Sequence, residues 1–231
     1  VVDVKNHLGE LKMLAQTANV ETLGKITQKV QRINPAFYIG KGKAQQVVDQ
    51  AKLLAANVII FDDELSPAQI KNYHKLAKNI KVIDRSSLIL DIFKKHAKSR
   101  EAKTQVELAL CQYLLPRLTR QWTHLERQRG GKGFLGGPGE TQIESDKRSL
   151  ASKITNIRKS INKVRRSRSV QRNLRLNNNI PLVSFVGYTN AGKSTLFNAF
   201  PNKKTKSENM LFSTLDPYLK KCGLPKKEYI I

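Results

Sequence analysis

The chain has 231 residues with 42 Lys or Arg against 18 Asp or Glu, so its formal net charge is +24. No apolar run approaches the roughly 18 residues that a membrane helix needs, and no signal-peptide pattern opens the chain. The two cysteines are too few for a disulfide framework or a zinc site, and we interpret them as ordinary cytosolic thiols. The charge predicts attraction to a polyanion, and nucleic acid is the usual one.

The residues at both ends of the chain are typical of positions inside a longer sequence. The chain begins at Val1 without an initiator Met, and residues 229–231 are typical of the middle of a strand. We therefore expect both ends to lie inside a longer protein.

Residues 1–98 alternate between helix-like and strand-like patterns. Leu8, Leu11, Met13 and Leu14 predict one apolar face of a short helix, and residues 22–30 predict a strand. A glycine-punctuated turn at 38–43 leads into a helix with apolar residues at 44, 47, 48, 51 and 54.

The next elements repeat a strand–helix order. Residues 58–61 are a short, continuously apolar run, typical of a strand buried in a parallel sheet, and residues 80–83 predict another strand. Ser66 before Pro67 predicts the start of one helix, and Ser86 or Ser87 predicts the start of the next. The repeat predicts a small parallel sheet covered by helices.

Three acidic residues, Asp62, Asp63 and Glu64, follow the first of these strands. Open α/β sheets bind ligands at the carboxyl ends of their strands, so a metal, an acid–base pair or a second nucleotide is one interpretation. Helix capping and dipole pairing are the alternative and the commoner role for acidic residues before a helix.

Residues 99–179 have a different pattern. An apolar stripe predicts a helix that ends near Pro116. A second, longer helix carries a heptad seam at Ile143, Leu150, Ile154, Ile157, Ile161 and Val164. Such a seam predicts two antiparallel helices packed as a rod. Between positions 94 and 175 there are 21 Lys or Arg against 6 Asp or Glu, a net +15, so the rod is basic. A lysine-rich bias that only solvates helix faces is the alternative.

The stretch between the two helices contains six glycines in the ten residues 130–139. Basic and aromatic flanks predict that it follows a phosphate backbone and stacks on bases, whereas a flexible linker is the alternative. The candidate RNA contacts are Trp122, Arg127, Arg129, Lys132 and Phe134 near this loop and Lys159, Lys163, Arg165 and Arg166 on the long helix.

Residues 187–194 match the phosphate-binding pattern G-x-x-x-x-G-K-[ST] at every fixed position. Residues 182–186 predict a short buried strand before the loop, and 194–200 predict the start of a helix after it. In this pattern the glycines let backbone N–H groups point at a polyphosphate, Lys193 adds a charge and Ser194 ligates Mg²⁺. A glycine-rich turn that binds nothing is the alternative. The candidate nucleotide-binding residues are Gly187, Tyr188, Thr189, Asn190, Ala191, Gly192, Lys193, Ser194 and Thr195.

Several runs, in order along nearly the whole chain, resemble HflX-type GTPases. They are YIGKGK at 38–43, FDDELSP at 61–67, ILDIF at 89–93, QVEL at 105–108, YLLPRL at 113–118, GPGETQ at 137–142, VGYTNAGKSTLFN at 186–198 and FSTLDP at 212–217.

The resemblance implies an α/β chain with three parts. These are an N-terminal small parallel-sheet α/β domain at 1–98, a long antiparallel helical hairpin with a glycine-rich tip loop at 99–179, and a partial P-loop NTPase domain at 180–231. It implies a cytoplasmic, monomeric, GTP- and Mg²⁺-dependent factor that binds the large ribosomal subunit and its rRNA and rescues stalled ribosomes. Some members of the family also bind ATP through the N-terminal domain. Thr214 would be the first-switch threonine that senses Mg²⁺ and the γ-phosphate; without the family it is only a threonine before a turn.

The sequence departs from the family in two places. It contains no D-x-x-G and no [N/T]-K-x-D, so the guanine preference rests on the resemblance and we expect little or no hydrolysis by this chain. The family commonly has an arginine just before Gly-Pro-Gly-Glu, where this chain has Gly136 and Gly137. Two alternatives to the GTPase therefore stay open, an RNA-binding chain without turnover and a P-loop ATPase of another class.

Overall fold

The computed structural model describes residues 3–128, 138–178, 182–200, 211–212, 219, 221–224 and 227–230. For residues 3, 5, 118–128, 138–143, 221–224 and 227–230 it describes the backbone alone. Within these ranges the helices are α1 (Asp3–Thr17), α2 (Lys41–Leu53), α3 (Pro67–Leu76), α4 (Arg85–His96), α5 (Arg100–Gln128), α6 (Pro138–Asn177) and α7 (Lys193–Ala199). The strands are β1 (Val58–Phe61), β2 (Lys81–Asp84), β3 (Lys221–Leu224) and β4 (Lys227–Ile230). No helix in these ranges is both long enough and apolar enough to cross a membrane.

The strands β1 and β2 form a two-stranded parallel sheet, in register from Val58 opposite Lys81 to Phe61 opposite Asp84. Successive side chains of a strand point to opposite faces, so each strand contributes to two cores. Ile59 and Val82 pack with α2 and α3, while Ile60 and Ile83 pack with α1 and α4. The predicted small parallel sheet covered by helices is confirmed.

Side-chain hydrogen bonds to the backbone fix where α3 and α4 begin. Ser66 caps α3 through a reciprocal capping box with Gln69, and Pro67 holds the first helical position, as the sequence predicts. The prediction that Ser86 or Ser87 opens α4 is wrong. Asp84 is the cap, and its Oδ1 accepts from the Ser87 backbone N–H at 2.8 Å. A buried carboxylate already fixed in β2 therefore takes the capping role.

Two other expectations in residues 1–98 also fail. Residues 22–30 form no strand, and most of them are exposed. A sequence with strand preference forms a strand only where it can pair with another strand and pack against a core. Met13 and Leu54 are exposed, whereas Leu11 and Leu14 carry the apolar face of α1.

The helices α5 and α6 form an antiparallel hairpin. Glu101 near the start of α5 pairs with Arg168 near the end of α6, and Glu107 pairs with Lys153 at 2.7 Å. Ile154, Ile157 and Ile161 of the predicted seam are buried against Cys111 of α5, so this part of the seam is confirmed. Ile143 lies among residues whose side chains are not described.

The prediction that the first hairpin helix ends near Pro116 is wrong, because α5 continues to Gln128. An internal proline costs a helix about 3 kcal/mol, which tertiary packing must offset. α5 packs against α3, α4 and α6, and the Arg117 Nη1 donates to the Tyr113 carbonyl at 3.1 Å within the proline-containing turn.

Residues 182–192 lead into the short helix α7. The strands β3 and β4 pair as an antiparallel hairpin. The predicted buried strand at 182–186 is wrong for this structure. Leu182 makes a single bridge, residues 183–186 form no strand, and Val186 is 92% exposed. Among the described residues Phe185 of this run packs with Phe197 and Phe200, but no strand pairs with residues 183–186, and an apolar run becomes a buried strand only between covering elements.

Candidate nucleotide site and basic surface

The phosphate loop has the backbone conformation that its glycines permit. Gly192 is the N-cap of α7 with φ of 79°, a left-handed value that disfavours any side chain. Asn190 is also left-handed with φ of 60°. A Cβ on Gly187 would stand 3.8 Å from Ala191 and from Lys193, so the two ends of the loop come close together. Such a curl directs successive backbone N–H groups toward an anion.

Lys193 closes the loop. Its ammonium donates to the Gly187 carbonyl at 2.8 Å and also to the Tyr188 carbonyl. Phosphate oxygens placed in the loop would compete for the same ammonium, since Lys is a compact charge with three donors. The Thr189 hydroxyl is buried and has no hydrogen-bond partner among the described residues, so it can serve a ligand.

The residues that would hold Mg²⁺ are chemically suitable. Ser194, the second residue of α7, offers a hard hydroxyl oxygen beside the loop. Mg²⁺ takes few protein ligands and completes its shell with water and substrate phosphates, so one or two hydroxyls fit. Thr195 also lies in α7, while Thr214 lies outside the described residues.

Tyr188 connects the loop to the first helix of the chain. Its hydroxyl donates to Glu10 Oε1 at 2.6 Å, and Glu10 Oε2 lies 2.7 Å from Arg85 Nη2. Arg85 Nη1 in turn donates to Asp62 Oδ1 at 2.7 Å. The Tyr188 hydrogen bond is the largest influence on the pKa of Glu10, which lies below its ordinary value. Donation to Glu10 likewise raises the pKa of Tyr188.

A second polar cluster joins β2 to α5. Asp84 is fully buried; its Oδ1 accepts from the Tyr113 hydroxyl at 2.8 Å and its Oδ2 from Arg117 Nη2 at 2.9 Å. Arg117 Nη2 also donates to Glu64 Oε1 and to the Leu65 carbonyl, each at 3.1 Å. The Arg117 guanidinium lies 3.4 Å above the Tyr113 ring. Burial and the Asp84 carboxylate both raise the pKa of Tyr113.

Two of the acidic residues 62–64 are held by cations. Asp62 pairs with Arg85, and Glu64 pairs with Arg117. Burial and then the Asp63 carboxylate raise the pKa of Tyr38 to about 12. No group of three or more potential metal ligands occurs within the described ranges. Asp62 and Glu64 thus take ion-pair roles, which neither sequence interpretation, a ligand site or helix capping, predicted.

The basic surface lies on α6. Lys159, Lys163, Arg165 and Arg166 are all exposed on the half of α6 that approaches Asn177. Lys153 and Arg168 are neutralised by acidic residues of α5. Trp122 and Arg127 lie on α5 where only the backbone is described, and Arg129, Lys132 and Phe134 lie outside the described residues. The cations of α6 are therefore the described part of the predicted RNA surface.

Three family models match the chain. A model described as the GTP-binding GTPase N-terminal region matches residues 5–94, one described as the GTP-binding GTPase middle region matches 96–175, and one described as a 50S ribosome-binding GTPase matches 182–231. The GTPase HflX of Escherichia coli (strain K12) is 46% identical over 217 residues, which are 94% of this chain and 50% of that protein. The GTPase HflX of Caldanaerobacter subterraneus is 46% identical over 224 residues, 97% of this chain and 52% of that protein.

The chain belongs to the HflX family. It spans about half the length of the curated HflX proteins it matches. Two solved structures share its fold. A GTP-binding protein from the archaeon Sulfolobus solfataricus in complex with GDP is 24% identical with a TM-score of 0.51, covering 98% of this chain and 56% of that one. The SsGBP and GDP complex is 25% identical with a TM-score of 0.55, covering 98% and 58%.

Sequence reasoning missed the residues that join the parts of this HflX chain. The Tyr188–Glu10 and Asp84–Arg117 contacts were not foreseen, and neither was the packing of Leu211 and Phe212 against α1 and α4. Arg117 lies in the run YLLPRL that carries the resemblance, which was a signal of importance but not of its partner. Tyr188 occupies a variable position of the phosphate-loop pattern, which predicts nothing about its side chain.

Proposed function

We propose that the chain is the guanine-nucleotide-binding and ribosome-binding part of a translation factor. In the whole protein it would bind GTP with Mg²⁺, engage the large ribosomal subunit through rRNA, hydrolyse GTP and rescue or split stalled ribosomes. We further propose a cytoplasmic monomer and the division into parts at 1–98, 99–179 and 180–231. Membership of the HflX family and the match of residues 182–231 to a family described as 50S ribosome-binding GTPases support this proposal.

The observation that carries the nucleotide part is the loop at 187–194. Its Gly192 takes the left-handed conformation at the start of α7, and its lysine already bonds carbonyls of the loop. A phosphate chain in the curl would receive backbone N–H groups and the Lys193 ammonium. The nucleotide-binding set is then residues 187–195 with Thr214, and Ser194 and Thr214 would hold Mg²⁺. Bound Mg²⁺ would neutralise phosphate charge.

The observation that carries the RNA part is the uncompensated charge of α6. Lys159, Lys163, Arg165 and Arg166 form no ion pair among the described contacts, whereas neighbouring cations do. Exposed, unpaired cations along one rod suit a phosphate backbone. Trp122, Arg127, Arg129, Lys132 and Phe134 would extend this contact at the tip of the hairpin.

A second candidate is a ribosome-binding chain without turnover. It is favoured by the exposed cations of α6, which can meet a phosphate backbone without any nucleotide. Both candidates share the phosphate loop and the basic rod. They differ in hydrolysis, so phosphate release in the presence of large subunits separates them.

Equilibrium binding of fluorescent GDP, a non-hydrolysable GTP analogue and ADP tests the nucleotide part. We expect binding that requires Mg²⁺ for the GTP analogue and that is lost in Lys193→Ala. Lys12→Ala is the matched control, because Lys12 is an exposed lysine of α1. No binding to the unaltered chain, or equal binding by Lys193→Ala, would contradict the proposal. Tighter binding of ADP than of GDP would favour the ATPase alternative.

A further inference from the structure

Six exposed cations in the second half of α6 fall into two rows. The outer row, at steps of four and three residues, consists of Lys159, Lys163 and Arg166. The flank row, at steps of seven residues, consists of Arg158, Arg165 and Arg172. Residues at such steps share one face of an α-helix, because about 3.6 residues make one turn. Each row therefore runs along the helix axis.

A polar face separates the two rows. At about 100° per residue, roughly 125° lies between the rows around the helix axis. The small polar residues between them, all exposed, are Asn162, Ser169 and Asn173. The buried seam that begins at Ile154 and ends at Ile161 packs on α5 and lies on another side of the helix. The polar face with its two bordering rows is therefore open to a partner.

The cations of both rows have no acidic partner among the described residues. The acidic residues of α5 pair instead with Lys153 and Arg168, which belong to neither row. No Asp or Glu occurs in the sequence between positions 147 and 177. Like charges spaced three or four residues apart on a helix repel each other, and a polyanion would relieve that repulsion.

We propose that this half of α6 lies along the minor groove of duplex RNA, with the outer row on one phosphate strand and the flank row on the other. The inference rests on the RNA-binding part of the proposed function and names its substrate class. An α-helix with its side chains is about 10–12 Å across, so cations on two sides of it can reach two backbones at once. A single strand can follow only one row.

The polar face supplies what the minor groove of RNA requires. That groove is wide and shallow in A-form duplexes and presents 2′-hydroxyls to whatever lies over it. The amides of Asn162 and Asn173 and the hydroxyl of Ser169 can each donate to and accept from a 2′-hydroxyl. Their short side chains leave room for a close approach, while the longer cations at the two edges extend toward phosphates. DNA lacks the 2′-hydroxyl, so the arrangement predicts a preference for duplex RNA over duplex DNA.

Fluorescence anisotropy with a short RNA duplex, one of its strands alone and a DNA duplex of the same sequence tests the inference. We expect the RNA duplex to bind most tightly. On it, Lys163→Gln and Arg165→Gln should each reduce the slope of log K against log salt by about 0.7–0.9, and the double variant by about twice that. On the single strand, the double variant should lose no more than one contact. Lys153→Gln is the matched control, because Lys153 is already paired with Glu107.

Asn162→Ala tests the polar face separately from the charges. It should weaken binding of the RNA duplex about fivefold, the typical contribution of one hydrogen bond, and leave the DNA duplex unchanged within twofold. The salt slope should not change, because no phosphate contact is lost. Gln171→Ala is the matched control, since Gln171 is an exposed amide on the opposite side of α6.

Circular dichroism confirms that each variant keeps its helices. If Arg165→Gln leaves the slope on the RNA duplex unchanged, the inference is overturned. It is equally overturned if the single strand or the DNA duplex binds as tightly as the RNA duplex. In both cases a steep salt dependence would leave RNA binding by the rod standing. If the unaltered chain binds no RNA at all, the inference and the RNA part of the proposed function fail together.

Discussion

Tyr188 in the phosphate loop and Glu10 in α1 are joined by a 2.6 Å hydrogen bond across 178 residues of sequence. The contact is charge-assisted, and the other carboxylate oxygen of Glu10 is held by Arg85 at 2.7 Å. Tyr188 also offers its backbone carbonyl to the Lys193 ammonium. Tyr188 thereby links the Lys193 ammonium, which would bind phosphate, to α1.

Tyr188→Phe should raise the pKa of Glu10 toward its ordinary value of 4.5, since the lost hydrogen bond is the main cause of the lowered pKa. Carboxyl-carbon NMR titration measures this without any nucleotide. A group whose pKa is lowered by folding stabilises the fold above its unfolded pKa and loses that contribution as the pH falls through the folded pKa. Tyr188→Phe should therefore destabilise the chain at pH 7 and make little difference below the folded pKa of Glu10.

An unchanged Glu10 pKa in the same variant would mean that the hydrogen bond is not formed in solution.

Arg117→Met should destabilise the chain by about 3–5 kcal/mol, because it leaves the fully buried Asp84 carboxylate without its cation. Urea unfolding measures the change. Asp84→Asn combined with Arg117→Met should recover part of the loss, because the amide oxygen still accepts from Ser87 and Tyr113. A single variant as stable as the parent would show that this cluster does not hold α5 to β2.

Ile157→Ala should cost about 2–5 kcal/mol, since it empties a buried position of the seam between α5 and α6. Leu174→Ala on the same helix is the control, because Leu174 is 58% exposed and should change the unfolding free energy little. Equal effects of the two substitutions would argue that the hairpin does not pack along the seam.

Lys163→Gln and Arg166→Gln should each weaken RNA binding and reduce the slope of log K against log salt by about 0.7–0.9, the value for one lost phosphate contact. Fluorescence anisotropy with a short structured RNA at several salt concentrations gives the slope. Arg148→Gln removes an exposed cation that is already paired with Glu144 at 2.6 Å, so its slope should remain near that of the parent. A slope that is flat for the parent chain would contradict phosphate recognition by this rod.

The parts that the sequence predicts are those governed by local pattern. The phosphate loop, the Ser66 cap before Pro67 and the Ile154–Ile157–Ile161 seam each depend on residues within a few turns of one another. Asp84 shows the limit, because only the fold reveals that a strand carboxylate is buried beside Tyr113 and Arg117 and caps α4. Pro116 shows another, since packing on three helices offsets its local cost.

The contacts between parts were unpredictable for a different reason. Glu10, Phe93 and Phe212 are ordinary members of their own segments, and nothing in their spacing indicates that they meet. Such contacts depend on how whole elements pack, which periodicity does not encode.

Ribosome association is tested most directly by co-sedimentation of the chain with large ribosomal subunits at moderate salt, with and without a GTP analogue, beside Lys193→Ala. We predict saturable pelleting that persists without nucleotide and in Lys193→Ala, because the basic hairpin carries recognition, and that declines steeply as salt is raised. No saturable pelleting at any salt concentration would contradict the assignment to the ribosome and would leave a nucleotide site without the proposed partner.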